Sequence, residues 1–172
     1  MIKGGIGGAS TKTGLHFEGR SDLIEALKLI PGYTAANNTV FFHGKPVAQK
    51  LQKGLLYTFL GSKGVNYKDI LSKKLLPDEA LYVFESKTLY IVEMKFQQVA
   101  GSVDEKLQTC DFKKRQYVKL MSPLGINVEY IYLLNDWFKK PEYRDVLAYI
   151  KEVDCDYLFN EITLARLNLP TR

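Results

Sequence analysis

Two apolar segments separated by a short polar link constrain the fold of this chain more than any other feature. Residues 80–84 (Ala-Leu-Tyr-Val-Phe) and 88–96 (Thr-Leu-Tyr-Ile-Val-Glu-Met-Lys-Phe) are rich in β-branched and aromatic side chains. The link Glu85-Ser86-Lys87 is short enough for a hairpin turn. The second segment is almost entirely apolar, which is typical of a strand covered on both faces. We therefore predict a β-hairpin whose second strand lies inside the fold.

Other apolar patterns place helices and strands around this hairpin. Helical spacing predicts helices over about 15–30, 47–60, 68–76, 102–121 and 141–152. Strands are predicted over 39–42, 127–134 and 156–162. This order predicts an α/β or α+β domain in which helices flank a mixed central sheet. A chain of 172 residues has the size of one domain, which we assign to 15–172, after a flexible glycine-rich arm over 1–14.

The composition argues against several classes of protein. Apolar residues make up 46% of the chain, and no apolar run approaches the roughly 20 residues of a membrane-spanning helix. The N-terminus lacks the apolar stretch of a secretory signal, so we expect a cytoplasmic protein without membrane attachment. Cys110 and Cys155 cannot form a disulfide framework and lack the spacing of zinc ligands or of a catalytic Cys–His pair. The net charge of +5 is compatible with a polyanionic partner.

The predicted hairpin brings three charged residues to one face. With Ser86-Lys87 as the turn, Asp78 lies opposite Lys95, and Glu93 is the diagonal neighbour of Asp78. Two adjacent carboxylates repel each other, and a divalent cation relieves that repulsion. Oxygen ligands suit Mg²⁺, which can polarise a phosphodiester and lower the pKa of a bound water. Lys95 is then placed to orient that water or to stabilise charge in the transition state.

A structural explanation of the same residues stays open. Glu93 and Lys95 can form an exposed ion pair on an edge strand, and Asp78 can be a turn residue after Pro77. The apolar surroundings of Glu93 and Lys95 argue against exposure, because a charged group buried in such a strand needs a partner.

The motif itself resembles a known nuclease signature. Pro77-Asp78, followed after 14 residues by Glu93-Met94-Lys95, resembles the Pro-Asp…(Asp/Glu)-x-Lys pattern of the PD-(D/E)XK nuclease superfamily. The resemblance implies a restriction-endonuclease-like fold. It also implies that Asp78, Glu93 and the Met94 carbonyl hold Mg²⁺, with Mn²⁺ as a substitute, while Lys95 acts beside them.

Both ends of the chain extend the resemblance. Residues 7–18, residues 96–107 and residues 159–170 are similar to segments of small type II restriction endonucleases. In that group an acid on the first helix supports the metal site, and the matching residue here is Glu18. The alternative for Glu18 is an ordinary solvent-exposed helix residue.

Several polar residues are candidate DNA contacts. The predicted helix over 102–121 carries Lys113, Arg115 and Gln116, which can reach phosphates if the helix packs beside the site. A solvated basic face is the alternative for this helix. Gln97 is a further candidate, or simply a polar strand end. Lys12 lies in the glycine-rich arm, which is not a Walker A loop because Thr11 stands where glycine is required.

These observations predict a Mg²⁺-dependent DNA endonuclease that hydrolyses phosphodiester bonds in double-stranded DNA. The expected type is a type II restriction endonuclease or its catalytic subunit. Cutting both strands takes two sites, so we expect a homodimer or a heterodimer with a recognition subunit. Two alternatives remain: a junction-resolving or repair nuclease of the same fold, and a catalytically silent DNA-binding or assembly subunit.

Overall fold

One seven-stranded mixed sheet organises the computed structural model, which describes residues 14–17, 22–101 and 103–171. Its strands follow the chain order from β2 to β8, and β1 pairs with β9 in a separate two-stranded sheet. The strands are β1 (Gly14–His16), β2 (Tyr33–Ala36), β3 (Thr39–Phe42), β4 (Lys45–Lys50), β5 (Glu79–Val83), β6 (Thr88–Lys95), β7 (Asn127–Leu134), β8 (Asp156–Phe159) and β9 (Glu161–Thr163).

Five α-helices accompany these strands in the described part of the chain: α1 (Leu23–Lys28), α2 (Leu55–Ser62), α3 (Val103–Lys106), α4 (Cys110–Met121) and α5 (Arg144–Glu152). Short 3₁₀ turns lie at Tyr67–Asp69, Leu107–Thr109, Ser122–Leu124, Asp136–Lys139, Pro141–Tyr143 and Ala165–Leu167. No helix within these described ranges is long and apolar enough to cross a membrane.

The sheet changes from antiparallel to parallel at β6. Strands β2 to β6 are antiparallel, while β7 runs parallel to β6 and β8 runs parallel to β7. Parallel neighbours need a crossover connection, and the helical segments α3–α4 and α5 supply the two crossovers. The prediction of a mixed sheet with flanking helices is therefore confirmed.

The inner strand β7, next to the edge strand β8, has side chains in both layers of the core. Tyr130 and Tyr132 are buried in the layer that also contains α2, α4 and α5, whereas Ile131 and Leu133 are buried in the layer that contains α1. Strand β6 is divided in the same way, with Leu89 and Ile91 on the α4 side. Burial on both faces explains why both strands read as nearly continuous apolar runs.

The hairpin is confirmed, but its predicted register is wrong by two residues. Val83 pairs with Thr88 and Ala80 pairs with Ile91, so the loop comprises residues 84–87. The Lys87 N–H donates to the Phe84 carbonyl at 3.2 Å, and Lys87 takes a left-handed backbone with φ 47°. A shift of two residues keeps every side chain on its predicted face, because strand side chains alternate with period two.

Three helix predictions are wrong in whole or in part. Within the described part of residues 15–30 only Leu23–Lys28 is helical, and Gly14–His16 pairs with β9 as a strand. Residues 47–50 belong to β4, which pairs with β3 and β5, and only Leu55–Ser62 is helical. Residues 68–76 contain no more than the end of a 3₁₀ turn. In each case a strand partner or a loop overrides apolar spacing that looked helical.

Candidate functional site

The candidate site lies at the open end of the hairpin, where β6 is longer than β5. On the β5 side, pairing ends with Glu79 opposite Val92. The last three residues of β6, Glu93 to Lys95, continue to pair with β7. Asp78 directly precedes β5, so the observed register brings its backbone level with Glu93. Asp78 was predicted to be the diagonal neighbour of Glu93, whereas extending the observed register by one residue beyond the last pair, Glu79 and Val92, sets the Asp78 backbone opposite Glu93.

Glu93 is buried and holds two ammonium groups. Its side chain accepts a hydrogen bond at Oε1 from Lys113 Nζ at 2.8 Å. Lys95 Nζ lies 3.4 Å from Oε2, an ion-pair contact. Oε2 has no hydrogen-bond partner among the described residues, although Glu93 is only 5% exposed. The predicted meeting of Glu93 and Lys95 is therefore present, and Lys113 joins it from α4.

Two opposing effects set the protonation of Glu93. Burial by itself would raise the pKa of this carboxyl, since it disfavours the charged form. The ammonium groups of Lys113 and Lys95, together with the Tyr130 hydroxyl, outweigh burial and bring the pKa below its usual value. Burial, followed by the charge of Glu93, raises the pKa of Tyr130, so this hydroxyl keeps its proton. Glu93 is thus an ionised acceptor at neutral pH.

Asp78 borders a cavity of about 350 Å³ whose lining includes Glu79 and Met94 but not Glu93, Lys95 or Lys113. Its side chain is exposed, and the preceding Pro77 is buried. The turn after β4 fixes this segment, because the Lys53 N–H donates to the Pro77 carbonyl at 2.8 Å. Lys53 adopts a left-handed backbone, φ 49°, to make this contact. The cavity is lined by Asp22, Gln52, Lys53, Asp78, Glu79 and Met94.

A second buried carboxylate, Glu79, lies on the opposite face of the hairpin from Glu93. It is 5% exposed and accepts a hydrogen bond from the Leu23 N–H at 3.3 Å. Burial raises its pKa to about 7, with Asp22 and Asp78 adding to the rise and Lys50 opposing it. Lys50 Nζ pairs with Asp22 Oδ2 at 2.9 Å. Glu79 therefore gains and loses a proton near neutral pH.

Sequence reasoning missed Glu79, and a usable signal was present. Glu79, Leu81 and Val83 occupy alternate positions of one strand, so they share a face. Leu81 and Val83 are apolar, and this pattern already predicts that Glu79 points toward the core. The involvement of Asp22 and Lys50 had no comparable local signal, because their pairing joins α1 to β4.

The predicted DNA contacts have different environments. Lys113 is bonded to Glu93, and Arg115 is exposed and pairs with Asp111 at 2.8 Å. Gln116 is half-buried. Gln97 is 7% exposed, and its side-chain amide donates to the Val99 carbonyl at 2.6 Å.

The placement of Gln97 favours a structural role over DNA contact. Its backbone carbonyl accepts a hydrogen bond from Asn135 Nδ2 at 2.7 Å, and its N–H donates to Asn135 Oδ1 at 3.2 Å. These bonds tie the chain after β6 to the chain after β7. Lys12, Glu18 and almost all of the glycine-rich arm lie outside the described residues.

The donor set at the hairpin end is compatible with a divalent cation. Asp78 and Glu93 supply carboxylate oxygens, which are the ligands Mg²⁺ prefers. The buried Oε2 of Glu93, without a hydrogen-bond partner in the described part of the chain, is an acceptor that a cation would satisfy. Met94 is half-buried and lines the same cavity as Asp78. The described ranges contain no group of three or more His, Cys, Asp or Glu arranged to hold a metal, so the protein would supply few ligands.

No family model matches the chain, and no curated protein and no solved structure is significantly similar to it. Fold and site together define a mixed α/β domain that carries a buried carboxylate–ammonium cluster at one end of its sheet.

Proposed function

We propose that this protein is a Mg²⁺-dependent DNA endonuclease of the PD-(D/E)XK superfamily, of the type II restriction endonuclease kind or the catalytic subunit of such an enzyme. The observation that carries the proposal is the contact of Lys95 with Glu93 at 3.4 Å at the open end of the hairpin, where Asp78 directly precedes β5. An acid, a second acid and an ammonium in this arrangement match the chemistry of phosphodiester hydrolysis.

The fold supports the same proposal. The hairpin β5–β6 presents the motif at its open end, and α4 crosses over to the parallel strand β7. Helices lie against both faces of the mixed sheet, as a restriction-endonuclease-like fold requires. The Asn135 side chain ties the chain after β7 to the Gln97 backbone just beyond the motif.

Asp78, Glu93 and the Met94 carbonyl would hold the cation. When bound, Mg²⁺ polarises the phosphodiester and lowers the pKa of a bound water. Lys95 is kept near this position by Glu93 and orients the water that attacks phosphorus. A bond forms between the water oxygen and phosphorus while the bond from phosphorus to the leaving sugar oxygen breaks. The water loses a proton, and the leaving oxygen gains one.

Double-stranded DNA is the proposed substrate. The negatively charged DNA phosphates attract a protein with a net charge of +5. Arg115 and Gln116 on α4, with Lys12 in the N-terminal arm, stay the proposed contacts to DNA. Each chain contains one motif, so cleavage of both strands would take a homodimer or a pairing with a recognition subunit.

The test is incubation of the full chain with phage DNA and plasmid DNA in the presence of Mg²⁺ or Mn²⁺. We expect discrete fragments, and we expect Asp78→Asn, Glu93→Gln and Lys95→Met each to abolish them. Lys87→Met is the control, because Lys87 is exposed at the opposite end of the same hairpin. Full cleavage by the Lys95 or Asp78 variant would overturn the assignment.

The same assay separates the alternatives. Cleavage of a four-way junction in preference to a linear duplex would indicate a junction-resolving nuclease. DNA binding without cleavage, and without binding of Mn²⁺, would indicate a silent subunit.

A further inference from the structure

Lys113 lies on the buried side of α4. It follows Cys110 by three residues and precedes Tyr117 by four, and both of these residues are buried in the core. Residues with this spacing share one helix face. The side chain of Lys113 is accordingly 28% exposed and ends 2.8 Å from Glu93 Oε1. Its ammonium is therefore directed at the candidate site and away from a DNA surface beyond the helix.

Lys113 changes the electrostatics of that site. Asp78 and Glu93 are two acids, and Lys95 and Lys113 are two ammonium groups, so the formal charges of the four residues cancel. On the opposite face, Asp22 is paired with Lys50 at 2.9 Å. A neutral cluster attracts a divalent cation much less than a cluster with a spare negative charge would.

On the basis of the proposed function, we propose that Lys113 is a positioning residue. In the free protein it pairs with the Glu93 carboxylate and keeps the affinity of the site for divalent cations low until DNA is bound. A phosphodiester brings the negative charge that the four-residue cluster lacks. Binding of the cation and binding of DNA then strengthen each other, and the coupling is reciprocal because it is a shared free energy. Lys113 thereby restricts tight cation binding to the substrate complex.

Helix α4 offers a matched control for this role. Lys119 lies on the same helix and is exposed. Lys119→Met removes the same charge as Lys113→Met from the same element. Lys113→Gln is the second variant, since it removes the charge but keeps a hydrogen-bond donor for Glu93. If Lys113→Met fails to fold, Lys113→Gln still allows the Mn²⁺ affinity to be measured without the Lys113 charge.

The experiment is a titration of the full chain with Mn²⁺, followed by electron paramagnetic resonance, with and without a short DNA duplex. A duplex-only titration corrects for Mn²⁺ bound by DNA. Without DNA, we expect Lys113→Met and Lys113→Gln to bind Mn²⁺ about tenfold more tightly than the unaltered protein. That is the scale of repulsion between a unit charge and a divalent cation about 5 Å apart in a water-like medium. Lys119→Met should bind as the unaltered protein does.

DNA should raise the Mn²⁺ affinity of the unaltered protein more than that of the Lys113 variants. Equal or weaker Mn²⁺ binding by both Lys113 variants in the absence of DNA would overturn the inference. The variants Asp78→Asn and Glu93→Gln separate this failure from that of the proposed function. If they weaken Mn²⁺ binding while the Lys113 variants leave it unchanged, only the inference fails. If they leave it unchanged, or if no form binds Mn²⁺, the inference and the proposed metal site fail together.

Discussion

Glu79 Oε2 accepts a hydrogen bond from the backbone N–H of Leu23 at 3.3 Å, so the residue that follows Asp78 holds the first turn of α1. This contact crosses from the hairpin to a helix 56 residues earlier in the chain. It links the candidate site to the layer of the core that contains α1. The acid that makes the link titrates near neutral pH, which gives the link a measurable pH dependence.

Replacing Glu79 with Gln should change how stability depends on pH. The folded-state pKa is about 7 and the ordinary value is 4.5, so between these pH values the folded protein holds a proton that the unfolded chain has lost. This contribution to stability is fully present below about pH 4.5 and is lost as pH rises through 7. We expect Glu79→Gln to be more stable than the unaltered protein at pH 8, by about 2 kcal/mol after allowance for solvent screening at the cavity that Glu79 lines.

Urea unfolding at pH 5 and pH 8 checks this expectation. The stability difference between Glu79→Gln and the unaltered protein should be larger at pH 8. An identical difference at both pH values would show that Glu79 does not titrate in this range.

Asp22 should contribute to stability through two separate contacts. Its Oδ1 accepts from the Ile24 N–H at 2.9 Å and so caps α1, while Oδ2 pairs with Lys50. Asp22→Ala removes the cap and leaves a largely buried ammonium without its partner, at a cost of about 2 kcal/mol. Asp22→Asn retains the cap and should lose less. Thermal unfolding of the two variants measures the difference, and equal losses would assign the whole effect to the Lys50 pair.

Lys53 should matter for cleavage because it lines the same cavity as Asp78. We expect Lys53→Met to reduce the rate of DNA cleavage about tenfold, which corresponds to losing one phosphate contact of about 1.4 kcal/mol. Lys87→Met is the matched control, since Lys87 is also exposed and also adopts a left-handed backbone, φ 47° against 49° for Lys53. Initial rates on plasmid DNA compare the two, and a similar loss in both variants would point to nonspecific charge effects.

The buried strand β7 should be intolerant of side-chain truncation. Leu133 is fully buried in β7 beneath the α1 layer. Leu133→Ala leaves a cavity and should cost about 3 kcal/mol of unfolding free energy. Val118→Ala on α4 should cost far less, because Val118 is 43% exposed. Urea unfolding gives both values, and a cost below about 1 kcal/mol for Leu133→Ala would mean that β7 repacks around the gap.

The local sequence pattern was sufficient to predict the secondary structure where apolar residues followed one clear period. The strands over 39–42 and 127–134 are confirmed with the predicted bounds. The two hairpin strands are confirmed with bounds that differ by one residue from the predicted ones. The helix predicted over 47–60 is wrong in its first part. The prediction was based on helical spacing of the apolar residues Val47, Leu51, Leu55 and Phe59. Residues 47–50 instead form a strand that is paired on both sides. Pairing partners far away in the chain decided that segment.

The alternation of side chains along β5 and β6 was enough by itself to place Glu93 and Lys95 together on one face, because that face follows from period two and survives a register shift of two residues. Only the tertiary structure determined the register, the burial of Glu79 against Leu23, and the bond from Lys113 to Glu93. The two contacts depend on how a helix packs against the sheet, and the register depends on how the 84–87 turn closes. A side-chain pattern confined to one element contains no information about the distance to another.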